Sequence, residues 1–142
     1  MVPGSIPGLL ANNKKKNMCL NLKSAYTMPR IAFKDIKCYK KIIITSDGDL
    51  LTPFRYAKIK IGEQYRSRLR KYNLGIGAQI DDGLHSVASV ESARNMDLYF
   101  SSEEKVVIVE CIIPKFSIYY KGMFCDFIAY ASNKLKYIEI VK

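Results

Sequence analysis

Residues 83–114 read GLHSVASVESARNMDLYFSSEEKVVIVECIIP, and the parsing of this stretch decides the fold. Ser89 is a suitable helix N-cap, because a serine hydroxyl can accept from an otherwise unpaired N–H in the first turn. Glu91 then places negative charge where a helix N-terminus favours it. Val90, Ala93, Met96 and Phe100 recur at helical spacing, so the stretch predicts an amphipathic helix from Ser89 to about Phe100. Ser101, Ser102, Glu103 and Glu104 form a polar connection. Residues 106–113 are apolar on both faces, which predicts a strand in the middle of a sheet. Pro114 ends it.

Other strands are predicted on both sides. Residues 36–44 (IKCYKKIII) alternate, with Ile36, Cys38, Lys40 and Ile42 on one face. Asp47-Gly48 then signals a tight hairpin, since Gly tolerates the positive φ such turns need. Residues 50–56 return towards the first strand, although Pro53 has no N–H for a central ladder. Residues 56–61 alternate up to Gly62. Downstream, residues 116–120 predict a strand, Lys121-Gly122 a turn, and residues 123–131 and 135–141 two further strands. Six or seven strands and one main helix predict an α+β domain with a mainly antiparallel, bent sheet.

Composition agrees with a folded domain. A chain of 142 residues with 49% hydrophobic and 25% charged residues normally forms one domain with its own core. Residues 1–17 contain Pro3, Gly4, Pro7 and Gly8 ahead of Lys14, Lys15 and Lys16. They are expected to be a basic arm attached to a single domain spanning residues 18–142, and one that docks on a neighbouring subunit in a homo-oligomer or larger assembly. Their basic residues follow the apolar ones, which does not fit a secretory signal. No apolar run approaches the ~20 residues of a membrane span. The expected location is the cytoplasm, of a cell or of a virus-infected cell, and no membrane partner is expected.

Charge is unevenly spread. Residues 1–72 hold 16 Lys and Arg against 4 Asp and Glu, whereas residues 73–142 hold 7 against 9. The N-terminal half therefore predicts contact with a polyanion or an acidic protein surface; solubility alone, or AT-rich coding, would give the same excess. Its densest part is Arg66, Arg68, Arg70 and Lys71, flanked by Tyr65 and Tyr72. This segment reads either as solvated surface or as a phosphate-contacting patch with tyrosines for base stacking. The predicted binding residues are these six together with Lys14, Lys15 and Lys16.

Catalytic and metal signals are sparse. Cys19, Cys38, Cys111 and Cys125 lack the close pairing of zinc sites, and are expected to be free thiols. Neither metal nor cofactor is expected. His85 is the only histidine and the weak candidate for acid–base chemistry, with Asp81 and Asp82 available to orient it. A structural role for its ring is the competing reading. Gly75-Ile76-Gly77 lacks both the third glycine and the lysine of phosphate-binding loops, so it reads as a plain connection.

Residues 36–141 resemble a family of small uncharacterised proteins of gut-type bacteria and their phages. The resemblance rests on Cys38-Tyr39-Lys40, Thr52-Pro53-Phe54, Ile61-Gly62-Glu63-Gln64-Tyr65, Gly83-Leu84-His85-Ser86, Cys111-Ile112-Ile113-Pro114-Lys115, Tyr119-Tyr120-Lys121-Gly122 and Tyr130-Ala131-Ser132-Asn133-Lys134-Leu135. It implies a phage or mobile-element setting, with the cytoplasm of a bacterial host cell as the location and the virion as the alternative, and no particular activity. A more distant likeness to the ADP-ribosyltransferase fold rests on residues 38–40, on residues 83–86 with Ser89 and Ser92, on residues 106–113 and on residues 126–130. Asp126 stands where that fold carries its catalytic Glu, and the first strand lacks its His or Arg. The expected function is a non-catalytic binding or assembly protein. The alternatives are a nucleotide-signal sponge or host-defence inhibitor, and an ADP-ribosyltransferase-like or His-dependent enzyme.

Overall fold

A computed structural model describes residues 19–53, 55–96 and 105–141. The predicted arm, with Lys14, Lys15 and Lys16, lies outside the described residues, as do residues 97–104 within and beyond the predicted helix.

The chain is mostly β. Strands take 56% of the described residues and helix only 5%, which overturns the α+β expectation. One antiparallel sheet runs in the order β6 (Gln64–Arg66), β13 (Lys134–Val141), β10 (Lys105–Ile113), β3 (Ile36–Ile44), β9 (Leu84–Val87), β12 (Phe127–Ser132), β11 (Ile118–Phe124), β1 (Leu20–Leu22), β8 (Ala78–Asp82), β7 (Arg70–Asn73). Its long members are β3, β10, β11, β12 and β13. Between and beside them lie β1, β6, β7, β8 and β9. Three two-residue strands hang off this path: β2 (Arg30–Ile31) on β11, β4 (Leu50–Leu51) on β3, and β5 (Lys58–Ile59) on β4.

The expected count of six or seven strands fell short for a physical reason. Strands of two to five residues show too few positions for alternation to be visible in sequence. They are strands because longer neighbours supply their hydrogen bonds. β1 is an example: its three residues pair with β8, Asn21 also pairs with Met123 of β11, and Leu20 and Leu22 are buried.

The single helix of the described residues, α1 (Val90–Asn95), is six residues long. Ser89 caps it as its position predicts: Ser92 N donates to Ser89 Oγ at 3.1 Å. Ala93 and Met96 turn into the core. At its other end Lys41 Nζ donates to the Met96 carbonyl at 2.8 Å, satisfying an acceptor that the helix cannot pair itself.

β10 is central, as its two apolar faces require, pairing with β3 on one side and β13 on the other. Successive residues of a strand face opposite sides, and the core divides accordingly. Cys38, Ile42, Val109, Cys111 and Ile113 pack with Leu135 and Tyr137. Tyr39 and Ile108 face the other cluster, built on Leu20, Ile80, Val87, Ala93, Tyr120 and Ala129. The hairpin at Asp47-Gly48 forms as predicted, with Gly48 at φ 88° and Ile44 opposite Leu50.

The predicted turn at Lys121-Gly122 does not form. β11 runs straight through it, and the chain reverses at Cys125-Asp126, where Phe124 faces Phe127. Gly122 is there for another reason. A Cβ at this position would collide with the backbone oxygen of Asn21 on β1.

The two ends of the sheet path, β6 and β7, are consecutive in sequence and joined by residues 67–69. The sheet therefore curls until its ends meet at a seam. The most basic segment of the chain is that seam.

Candidate functional site

A recess of about 290 Å³ opens beside the seam, lined by Lys40, Thr52, Pro53, Arg55, Arg66, Ser67, Asp81, Gly83, Leu84 and His85 among others. β3 supplies Lys40, β6 supplies Arg66, β8 supplies Asp81, and Gly83 leads into Leu84 and His85 of β9.

Lys40 is the residue that sequence reasoning passed over. It sits in the inward row Ile36, Cys38, Lys40, Ile42, Ile44, whose other members belong to or pack against one core cluster. Burial pulls its ammonium below the usual lysine range; the nearby Arg55 charge pulls the same way, and the thiols of Cys111 and Cys38 pull against it. It makes no ion pair among the described residues. The available signal was one lysine interrupting an otherwise apolar row.

His85 is only 7% exposed. Its Nε2 lies 3.0 Å from the Ile80 carbonyl; a carbonyl only accepts, so Nε2 carries the proton. Burial pushes its pKa down to about 4, opposed by the Ile80 carbonyl and assisted by the charges of Lys40 and Arg55. The ring is therefore neutral near pH 7, and its hydrogen bond goes to backbone instead of to Asp81 or Asp82. This arrangement suits a wall of the recess better than a proton shuttle.

Asp81 also lines the recess, and its buried Oδ1 has no hydrogen-bond partner. Asp82 is engaged elsewhere. Arg68 Nε lies 3.4 Å and Arg70 Nε 3.5 Å from its Oδ2, and Arg55 NH2 lies 3.9 Å from its Oδ1. Three largely exposed guanidinium groups thus share one carboxylate, which neutralises only one of them.

The predicted binding residues divide. Arg66 lines the recess, and Arg68 and Arg70 stand beside it with Arg55, which the sequence did not single out. Lys71 is drawn inward, donating to the carbonyls of Ala25 at 2.6 Å and Thr27 at 3.1 Å. Tyr65 is engaged within the fold. Its hydroxyl accepts from Lys60 N at 2.8 Å, and its ring meets Tyr137 edge-on at 5.5 Å. Tyr72 is at the surface, with the Arg70 guanidinium 4.7 Å above its ring.

The four cysteines are free. Cys38 and Cys111 are buried opposite one another on β3 and β10, Cys19 is half-buried and Cys125 exposed. Burial pushes the Cys38 thiol up to about 11 and raises Cys111 as well, so both stay protonated. No group of three or more His, Cys, Asp or Glu that could hold a metal occurs among the described residues. No helix among them is long and apolar enough to cross a membrane.

Comparison with protein-family models, curated proteins and solved structures finds no match.

Proposed function

We propose that this protein binds nucleic acid without catalysis, through the cationic seam of its curled sheet. The observation that supports this reading is the convergence of Arg55, Arg66, Arg68 and Arg70 on the mouth and rim of one recess, against the carboxylates of Asp81 and Asp82 alone. Planar guanidinium groups pair well with phosphate oxygens, and a cluster that its own carboxylates cannot neutralise attracts a polyanion.

Anisotropy titration of a labelled single-stranded oligonucleotide across salt concentration tests it. Affinity should fall as salt rises, because bound cations displace counterions. Arg66→Gln and Arg68→Gln should each flatten the dependence of log K on log salt by about one unit. Absence of binding at about 50 mM salt, or a slope untouched by both substitutions, would refute it.

A further inference from the structure

The curled sheet has one feature that a flat nucleic-acid-binding face does not need. Lys40 stands inside, between Cys38 and Ile42, both fully buried. Placing an ammonium in an apolar row is costly unless an anion meets it there. No carboxylate pairs with it among the described residues: Asp81 lines the recess without an ion pair to Lys40, and Asp82 is held by three arginines at the rim. The anion must come from outside, and it must reach into the recess.

The size of the recess narrows the class. At about 290 Å³ it lies just below the roughly 300–1,000 Å³ typical of small-ligand sites. A phosphodiester within a strand has to enter and leave, and so passes over the rim. A strand end can enter and stop. A terminal phosphate monoester also carries close to two negative charges near neutral pH, against one for a diester, and it offers more oxygens to Lys40, Arg55 and Arg66. The adjoining sugar brings hydroxyl donors, the complement of the Asp81 carboxylate.

We propose that the recess receives the terminal phosphate monoester of a nucleic-acid strand, with Lys40 as its interior cation and Arg55 and Arg66 closing over it. This rests on the reading of the seam as a nucleic-acid-binding face, but it is separable from it. The seam supplies affinity for any strand. The recess supplies preference for a phosphorylated end.

The experiment compares one oligonucleotide sequence in three forms: 5′-phosphorylated, 3′-phosphorylated and hydroxyl-terminated at both ends. The full chain should bind at least one phosphorylated form about tenfold or more tightly than the hydroxyl-terminated form, the scale of one or two added charge-assisted hydrogen bonds. Which phosphorylated form gains identifies the end that is recognised. Lys40→Met should abolish that gain and leave binding of the hydroxyl-terminated form unchanged. Methionine suits the apolar row, and a circular dichroism melt of the variant confirms folding. Equal affinity for all three forms, or a preference that survives Lys40→Met, overturns the proposal while leaving the seam reading intact. If no oligonucleotide binds, the seam reading fails by itself. Calorimetry with adenosine 5′-monophosphate then judges the recess alone: binding abolished by Lys40→Met supports a monoester site, and no heat overturns it.

Discussion

Stability should depend on pH through His85, and the size of the effect follows from its surroundings. The folded protein holds the ring neutral, with a pKa near 4 against an ordinary value of 6.5. A depressed folded pKa means that the unfolded chain binds the proton more readily. Stability is therefore fully present above pH 6.5 and is lost as pH falls towards 4. A single site shifted in this way costs about 2 kcal/mol by pH 5 and about 3 kcal/mol by pH 4, at 1.36 kcal/mol per pKa unit. Among the groups that face the ring, the backbone of Ile80 and Gly83 favours the proton but does not outweigh burial. Lys40 and Arg55 are cations and oppose its protonation, and the carboxylate of the lining, Asp81, makes no hydrogen bond to it. Carboxylates elsewhere also titrate below pH 5, so the measurement is a difference. Urea unfolding of wild type and His85→Gln at pH 7, 6, 5 and 4 isolates the histidine. At pH 7 the variant should be less stable, because it disturbs a ring that is 7% exposed and bonded to Ile80. Its deficit should shrink by about 2 kcal/mol on going to pH 5. A deficit constant across this range would refute the assignment of a buried, neutral histidine.

Two further outcomes test the packing. Lys71→Ala should destabilise the fold by about 1–3 kcal/mol in urea unfolding, because it leaves the carbonyls of Ala25 and Thr27 without their charged donor; Arg68→Ala, at the exposed rim, should stay within about 0.5 kcal/mol of wild type. Gly122→Ala should lower stability by about 1–3 kcal/mol, because the new methyl group meets the Asn21 backbone and β1 must shift away; hydrogen exchange should show lost protection at residues 20–22.

Features set by adjacent residues were legible in the sequence, and features set by distant pairing were not. The Ser89 cap, the Asp47-Gly48 hairpin and the central position of β10 depend on side chains within a few residues of one another or on one strand's own two faces. β1 and β6 have three residues each, and only their partners make them strands. Gly122 carried an ambiguous signal, because a glycine that permits a turn and one that admits a neighbouring backbone look alike in sequence. The balance between helix and sheet failed for the same reason, since short strands such as β1, β2 and β7 show no strand pattern of their own. In the site, the arginines of the basic segment were found as a group, but Arg55 and Lys40 come from other strands and connections and join it only through the curl of the sheet.

The basic segment itself carried more information than its charge. In Arg66-Ser67-Arg68-Leu69-Arg70-Lys71 the arginines occupy every second position, the period of a strand and not of a helix. The structure uses that period. Arg66, Arg68 and Arg70 go to the recess and its rim, while Leu69 packs against the core and Lys71 reaches inward to two carbonyls. A solvated basic loop has no reason to sort its residues in this way, and a helix would have spread the guanidinium groups around its axis. The alternation on the seam and the lone lysine in the apolar row of β3 are the same kind of signal. Each is a strand pattern in which charge stands at positions chosen by face, and the two faces meet at one recess.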